Sequence, residues 1–485
     1  MDSLDEKIVQ SFPGKIVRKD LTALMKRGAN VPTFVLEYLL GMYCSTDDEE
    51  IVQAGLDKIQ KILADNYVRP DESEKVKSLI RENGKYTILD KVTGSLDEYE
   101  DLYLGDFTNL EIPPVVLPEE YIQNYPKLLT GGIWCIIQLE YDFEAGEENS
   151  SRRKKDPRAT PFKIAGLKPI QMPGLDLDEF LSHRADFTSA EWRDVILRSA
   201  GYEPDALQAD EKLHFVERLV PLIERNYNLC ELGPRGTGKS HIYKEISPYS
   251  ILISGGQTTT ANLFYNLSRR EVGLIGHWDC VAFDEVAGMH FKDRDAIQIL
   301  KDYMASGSFT RGKESVSADA SLVFEGNIND TPENILKTTH LFQPFPPEYN
   351  NDSAFFDRMH YYLPGWEIPK MSSRLLTKKY ALITDCISEF CKEMRKYDFT
   401  HEFDDYFELD DMTTRDETAI RKTFSGLCKL LYPDRKFTRD ECRELLDYAI
   451  AGRRRVREQL KIMAPEEFAS VELGYTEKET AHAIQ

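Results

Sequence analysis

The sequence predicts an α/β fold in which a mixed α+β region precedes an α/β core and a helical domain follows it. Three patterns lead to this prediction. Apolar residues at helical spacing dominate residues 1–80, and β-branched and aromatic runs dominate residues 81–172. From residue 227 onward, short apolar runs that end in polar residues alternate with helical segments. Such alternation is typical of a sheet with helices on its faces.

Composition and charge limit the classes of protein that this chain can belong to. Its 485 residues carry 61 basic and 83 acidic side chains, and the net charge of −22 argues against a small nucleic-acid coat protein without excluding local basic patches. Apolar runs such as residues 131–139 are far shorter than the ~20 residues that span a bilayer. The first ten residues lack the features of a signal peptide, so we expect no membrane partner. Eight cysteines without a C-x-x-C pair predict buried, reduced thiols in a cytoplasmic protein.

The first half of the sequence changes from helical to strand-like patterns. An acidic run at residues 47–50 suits the N-terminus of a helix. Strand-like runs at 133–143 and 162–170 flank a polar segment, which predicts a long β-hairpin. The predicted domains are a helical region that allows a helix-turn-helix-like arrangement (1–80), a β-rich region with a long basic hairpin loop (81–172), a helical connector (173–226), an α/β core (227–370), a helical domain (371–462) and a tail (463–485).

A glycine-rich segment opens the α/β core. Residues 233–240 fit the pattern G-x-x-x-x-G-K-[ST], and they lie between an apolar run and a helical segment, which is the context of a phosphate-binding loop. A chance glycine-rich turn is the alternative. In the functional interpretation the backbone N–H groups and the lysine bind the phosphates of ATP, and the serine hydroxyl binds Mg²⁺. The predicted nucleotide-binding residues are Gly233, Pro234, Arg235, Gly236, Thr237, Gly238, Lys239 and Ser240.

Two later apolar runs also end in polar side chains. Asp284 and Glu285 end the first run, about 45 residues after the loop, where Asp284 is predicted to hold Mg²⁺ together with Ser240. Glu285 is predicted to orient or deprotonate the attacking water. Asn327 ends the second run and is predicted to contact the γ-phosphate or that water. The alternatives are two solvated acids and a turn-forming asparagine.

Arg358 comes directly before another strand-like run, and its pattern allows two interpretations. At the edge of a subunit its guanidinium could reach the ATP of a neighbour and stabilise charge in the transition state. On a free surface it would instead pair with Asp357. The residues alone favour the surface pair.

Taken in this order, the motifs resemble those of the AAA+ ATPases over residues 227–462. The resemblance implies an α/β AAA+ P-loop core with a helical lid, preceded by a mixed α+β domain. It also implies a ring, usually a hexamer, with ATP and Mg²⁺ held between subunits. Asn327 then corresponds to sensor 1 and Arg358 to a trans-acting arginine finger. Arg421, in a segment with a looser match, corresponds to the sensor-2 arginine.

Four longer segments resemble the Lon-like ATPases of BREX phage-defence systems, namely residues 12–41, 231–256, 278–288 and 415–434. This resemblance implies a DNA-associated ATPase in bacterial defence, with other BREX components as partners and with the stacking of rings left open. Members of that family generally continue into a Lon-like protease domain, whereas this sequence stops at Gln485. Peptidase activity is therefore not expected from this chain.

The expected substrate of the ring is double-stranded DNA, and three local basic segments are the candidate contacts. A predicted hairpin at residues 308–317 carries basic residues around a glycine, a basic run lies in the predicted loop after residue 143, and a third group lies on an N-terminal helix. Such side chains would bind phosphates without reading sequence, and solvated turns or helix faces are the alternative for each group. The predicted DNA-binding residues are Arg18, Lys19, Arg152, Arg153, Lys154, Lys155, Arg311 and Lys313.

Two other functions remain open from the sequence. One is a Lon-like protein unfoldase, which the missing aromatic residue in the expected pore segment, residues 272–276, disfavours. The other is a nucleotide-gated clamp that closes on DNA without moving along it. Stimulation of ATP hydrolysis by DNA or by unfolded protein separates these interpretations.

Overall fold

The structure is a computed structural model that describes the chain in several stretches: residues 1–27, 31–46, 48–143, 160–254, 258–268, 270–291, 295–350, 352–470 and 472–479. The chain divides into two compact units. We call residues 12–175 the N-terminal unit, and residues 1–11 together with 176–485 the C-terminal unit. Across the described stretches, no helix is both long enough and apolar enough to cross a membrane.

Both units contain helices of eight residues or more. These helices are α1 (Ser3–Ser11), α2 (Lys19–Lys26), α3 (Thr33–Tyr43), α4 (Glu49–Asn66), α5 (Ser73–Asn83), α6 (Leu177–Arg184), α7 (Ser189–Ser199), α8 (Ala209–Glu217), α9 (Asp295–Ser306), α10 (Thr384–Met394), α11 (Thr414–Leu431) and α12 (Arg439–Met463). Shorter helices span Glu119–Asn124, Val220–Ile223, Lys239–His241, Thr260–Leu263, Leu274–His277, Pro332–Ile335, Pro347–Asn350 and Ser353–Phe356.

The strands fall into one large sheet in each unit and several short pairs. They are β1 (Ile16–Arg18), β2 (Lys85–Asp97), β3 (Leu102–Phe107), β4 (Val115–Leu117), β5 (Ile133–Tyr141), β6 (Phe162–Pro169), β7 (Asn228–Gly233), β8 (Ser250–Ser254), β9 (Tyr265–Asn266), β10 (Glu271–Val272), β11 (Cys280–Asp284), β12 (Ser308–Arg311), β13 (Glu314–Ser317), β14 (Ser321–Asn327), β15 (Tyr361–Pro364), β16 (Tyr380–Leu382), β17 (Phe407–Leu409) and β18 (Tyr475–Glu477).

The N-terminal unit confirms two local predictions. Helix α4 begins where the acidic run predicts it, and the Asp48 carboxylate accepts hydrogen bonds from the N–H groups of Glu50 and Ile51. Strands β5 and β6 pair antiparallel, as the predicted hairpin requires. The sheet has the order β4-β3-β2-β5-β6, and every pair in it is antiparallel.

The core of this sheet contains one buried acid. Asp90, on β2, is fully buried and accepts hydrogen bonds from the N–H groups of Lys91, Asn109 and Leu110. Burial raises the pKa of Asp90 to about 6, although the three N–H groups act in the opposite direction. The carboxylate thus holds the turn that follows β3 by hydrogen bonds. Its burial makes the charged form of the side chain less favourable.

The C-terminal unit is built on a five-stranded parallel sheet with the order β15-β7-β14-β11-β8. Strands β7, β11 and β14 are almost entirely buried, which explains why they read as continuous apolar runs. Helix α12 packs closely on β15, because a Cβ atom at Gly452 would lie 1.9 Å from the Tyr361 ring. All eight cysteines of the chain are buried and free of disulfides.

Candidate functional site

The parallel sheet brings the predicted polar residues to one edge. Asn327 is the register partner of Gly233 on the neighbouring strand, and the Ile328 N–H donates to the Gly233 carbonyl. Strand β11 lies on the other side of β14 and ends at Asp284. Since the carboxyl ends of parallel strands meet at one edge, the phosphate loop, the two acids and Asn327 lie together. The predicted strands at all three positions are confirmed.

The phosphate loop turns through glycines with left-handed backbone. Gly236 has a φ of +84° and Gly238 a φ of +76°, a region that other residues rarely adopt. The Lys239 Nζ folds back and donates to the Pro234 carbonyl at 2.9 Å. One helical turn and a π-helix (Ile242–Ile246) follow. The helix predicted after the loop is therefore confirmed, although most of it is a π-helix and not an α-helix.

A close approach of two backbones fixes the start of the loop. A Cβ atom on Gly233 would lie 2.5 Å from the backbone of Gly365, just after β15. The Met371 N–H also donates to the Gly236 carbonyl at 2.8 Å. The segment after β15 therefore holds the phosphate loop from one side.

A buried ion pair supports the loop from behind, and the sequence patterns did not reveal it. Arg218 is fully buried and donates to both oxygens of Glu231, at 2.9 and 2.6 Å. Its Nη1 donates to the Thr237 carbonyl at 3.0 Å. Burial alone would lower the pKa of Arg218, but the Glu231 carboxylate outweighs this effect and raises it. Glu231 inside an otherwise apolar strand was the only signal in the sequence.

A second buried carboxyl, that of Glu325, lies near the predicted Mg²⁺ ligands Ser240 and Asp284. Glu325 is fully buried, and neither of its oxygens has a hydrogen bond of ordinary geometry among the described residues. Burial and the facing Glu231 raise its pKa to about 8, against the opposing effects of Arg218 and the Ser240 hydroxyl. Burial lowers the pKa of Lys239, against the attraction of Glu231, Glu325 and Asp284.

These donors fit a magnesium ion held mostly by water and phosphate. Mg²⁺ prefers oxygen ligands and keeps several waters. Ser240 and Asp284 supply a hydroxyl and a carboxylate, and the unsatisfied oxygens of Glu325 could accept hydrogen bonds from metal-bound water. Within the described part of the chain, no cluster of three or more His, Cys, Asp or Glu side chains could hold a metal by itself.

Glu285 has a strained backbone and an exposed side chain. Its φ is +55° and its ψ is +63°, the left-handed region, which costs a non-glycine residue roughly 1 kcal/mol or more. Its carbonyl accepts the N–H of Gly288 and starts a 3-10 turn. Strain of this kind is common at functional sites.

Arg358 does not form the surface pair with Asp357 that its sequence allows. Asp357 is buried and forms ion pairs with Arg453 and Arg415. Arg358 itself is half-buried, its Nη1 donates to the Ala354 carbonyl, and its Nε has no acceptor among the described residues. Burial and the nearby Arg415 lower its pKa.

Arg421 is bound within its own helical region. Its guanidinium donates to Glu417 at 2.8 Å, to Asp404 at 2.9 Å and to the Thr400 carbonyl at 3.0 Å. None of these partners belongs to the phosphate loop. The sensor-2 role therefore remains a prediction that the geometry of this conformation does not favour.

The predicted DNA-binding residues have three different environments. Strands β12 and β13 form the predicted hairpin, with Gly312 at its tip and Lys313 exposed, while Arg311 donates to the Tyr265 carbonyl. Lys19 is buried in an ion pair with Glu37, and Arg18 binds Asp20 and Glu49, so we leave these two out of the proposed DNA contacts. The predicted contacts that lie outside the described residues are Arg152, Arg153, Lys154 and Lys155.

Family models and relatives match most of this chain. The family model described as "Lon-like protease BrxL-like, ATPase domain" matches residues 162–474, and "BREX system Lon protease-like protein BrxL N-terminal" matches residues 10–141. The Lon-like protease BrxL of Bacillus cereus (strain H3081.97) is 55% identical over 481 residues, which cover 99% of this chain and 70% of that protein. The Lon-like protease BrxL of Escherichia coli O9:H4 (strain HS) is 52% identical over 478 residues, covering 98% and 67%.

A solved structure shows a weaker likeness. The full-length MCM homolog from Methanopyrus kandleri matches with a TM-score of 0.41 and 11% identity, over 75% of this chain and 77% of that one. A TM-score of this size does not establish a common fold. The family models and the two relatives do establish kinship, and the chain therefore belongs to the BrxL family of Lon-like proteins and carries that family's ATPase domain.

Proposed function

We propose that this protein is an AAA+ ring ATPase that binds double-stranded DNA and acts in BREX phage defence in the cytoplasm. One observation carries the proposal: a phosphate loop, two acids and Asn327 meet at one edge of a parallel sheet in a BrxL ATPase domain. The order of the parallel sheet supports an AAA+ core. In it, β7, the strand that leads into the phosphate loop, lies next to β15, which is the last strand of this sheet along the chain. Helices α10 to α12 are the proposed lid.

Each residue at this edge of the sheet has a separate role in ATP hydrolysis. The N–H groups of the loop and Lys239 bind the phosphates of ATP, which places the Lys239 ammonium on the β- and γ-phosphates in place of the Pro234 carbonyl. Ser240 and Asp284 would hold Mg²⁺, which offsets phosphate charge when bound. Glu285 orients and deprotonates the attacking water, and Asn327 holds that water or the γ-phosphate.

Arg358 completes the site of a neighbouring subunit in this proposal. Its Nε lacks an acceptor within the described chain, and Asp357 is bound to Arg453 and Arg415, so the guanidinium is not neutralised by its own neighbour. A ring, built of six subunits by analogy with the AAA+ family, brings each Arg358 to the next ATP. Mass measurement counts the subunits of such a ring and detects any stacking of two rings.

DNA contact is assigned to the hairpin β12–β13 and to the basic run at residues 152–155. Lys313 is exposed next to the turn glycine, and Arg152, Arg153, Lys154 and Lys155 form a run of four cations in a chain of net charge −22. Contacts of this kind are made to phosphates, so binding should be salt-dependent and nearly independent of sequence. Other BREX components are the proposed protein partners.

A second candidate function is suggested by the names of the relatives. Both are called Lon-like proteases, which favours a protein unfoldase as the alternative motor. A clamp that closes on DNA without moving along it is the third. ATP hydrolysis measured with double-stranded DNA, single-stranded DNA or unfolded protein separates them, together with DNA binding and strand displacement with and without ATP.

The decisive variant is Glu285→Gln, with Glu271→Gln, an exposed acid on β10, as its matched control. Loss of the base should lower ATP turnover by about 10²-fold to 10⁴-fold while ATP still binds. The control should keep its turnover. Full turnover by Glu285→Gln contradicts the catalytic assignment, and stimulation by unfolded protein without DNA binding at low salt contradicts the DNA role.

A further inference from the structure

Arg453, on the proposed lid helix α12, is a buried cation with four hydrogen bonds, three of them to residues next to the proposed finger. Its side chain is fully buried, and Asp357 and Asp416 beside it are also buried. We propose that Arg453 is a positioning residue that holds Arg358 in place for the neighbouring subunit's ATP, so that the lid of one subunit controls hydrolysis in the next. This inference rests on the proposed trans-acting role of Arg358.

The Arg453 guanidinium holds the peptide on both sides of Arg358. Nη1 donates to the Asp357 carbonyl at 2.9 Å and to the Met359 carbonyl at 2.6 Å, which are the two carbonyls that flank Arg358 in the chain. Nη2 donates to the Asp357 carboxylate at 2.6 Å. Only the planar fork of an arginine can make this set of bonds at once.

The third nitrogen, Nε, ties the same guanidinium to the proposed lid helix α11. The Arg453 Nε donates to the Asp416 carboxylate at 2.7 Å, and Asp416 lies in the first turn of α11, where Thr413 caps the helix. Arg453 therefore joins α11, α12 and the finger segment in one buried network. A shift of α11 and α12 would move the carbonyls around Arg358 with them.

The opposite side of the finger segment is fixed to the strand that leads into the phosphate loop. The Asn228 Nδ2 donates to the Arg358 carbonyl at 2.9 Å. The buried His360 accepts the Asn228 N–H at 2.9 Å through its Nδ1, and burial keeps the pKa of His360 low and its ring neutral. Because β7 begins at Asn228, the segment is held between the lid and the nucleotide-binding strand of its own subunit.

The test uses rings of mixed subunits, since a positioning role predicts damage in the neighbour's site. The variant Arg453→Lys keeps the charge and removes the fork, and Asp416→Asn weakens the same network from its other end. Arg443→Lys is the matched control, because Arg443 lies on the same helix and pairs with Asp440 and Glu477 near the surface. Circular dichroism and mass measurement first establish that each variant folds and assembles.

In uniform rings, Arg453→Lys should lower kcat for ATP by at least about tenfold, part of the 10³ to 10⁵ that an arginine finger supplies, with KM changed less than about twofold. Arg443→Lys should keep the kcat of the unaltered protein. In mixed rings, Glu285→Gln subunits retain a positioned Arg358, and Arg453→Lys subunits retain their catalytic acid. An equal mixture should recover about one quarter of full activity, because half the sites are intact and half of those face an intact finger.

Two reference mixtures separate the failures. Arg358→Ala mixed with Glu285→Gln should recover in the same way, and Arg358→Ala mixed with Arg453→Lys should not recover, because both carry the same defect. If the first reference recovers and Arg453→Lys with Glu285→Gln does not, the positioning role is overturned while the proposed function stands. If the first reference also fails, the trans-acting finger is wrong and this inference falls with it.

Discussion

Behind the phosphate loop, Arg218 combines two effects that a single and a double substitution together can separate. It neutralises the buried Glu231 and donates to the Thr237 carbonyl. Arg218→Met should reduce the free energy of unfolding by about 3–5 kcal/mol, because an unpaired carboxylate stays buried. Urea unfolding measures this loss, and the exposed Arg225→Met, whose pair with Asp319 is 3.5 Å long, should change stability by less than about 0.5 kcal/mol.

The double variant Arg218→Met with Glu231→Leu isolates the bond to the loop. Removing both charges should restore most of the stability, since replacing a buried ion pair by apolar side chains is often neutral. ATP affinity should remain reduced, because the Thr237 carbonyl still lacks its donor. If affinity returns together with stability, Arg218 serves the fold alone.

Asp90 gives a pH dependence to the stability of the N-terminal unit. Its pKa in the folded protein, about 6, exceeds the ordinary value of 3.8, so the folded state binds the proton more tightly than the unfolded state does. Stability should therefore increase as the pH falls from about 7 to 4, by about 1–3 kcal/mol. Asp90→Asn should remove this slope, and Asp106→Asn, at an exposed position of the same sheet, should keep it. A slope that survives in Asp90→Asn contradicts the assignment.

Among the elements, those set by local patterns were the ones the sequence could predict. Strands β7, β11 and β14 carry continuous apolar runs, and the β12–β13 hairpin carries a turn glycine, so each is readable from a few neighbouring residues. The network of Arg453 was not readable, because 96 residues separate it from Asp357. Burial of Lys19 against Glu37 was hidden for the same reason: a basic residue on a helix gives no local sign of its partner.

The hairpin β12–β13 makes a prediction about DNA at the scale of one element. Lys313 is exposed at its tip, whereas Arg311 is bound to the Tyr265 carbonyl and helps to hold the hairpin. Lys313→Ala should weaken binding of all DNA sequences alike and reduce the slope of log affinity against log salt by roughly one for each phosphate that the ammonium neutralises. Lys337→Ala, outside the hairpin, should leave that slope unchanged. Equal slopes in both variants would remove the hairpin from the DNA surface.

At the scale of the whole molecule, the proposed nucleotide site belongs to one of the two units. Every residue proposed to contact ATP lies in the C-terminal unit, and the N-terminal unit has a core of its own around β2 and β5. A ligand stabilises only the structure that binds it, by about 2.7 kcal/mol at a concentration of 100 Kd. ATP should therefore protect the two units unequally.

Hydrogen exchange followed by mass spectrometry tests this division peptide by peptide. With Mg²⁺ and ATP, Glu285→Gln protein should show slower exchange in peptides of the phosphate loop, β11 and β14, because bound nucleotide opposes their local opening. Peptides of β2 and β5 should exchange at their original rate. Lys239→Ala added to the same protein should abolish the protection, since the ammonium no longer meets the phosphates. Equal protection of β2 and β5 would mean that nucleotide binding is coupled to the N-terminal unit, and the ATP site would then have to be treated as a property of both units.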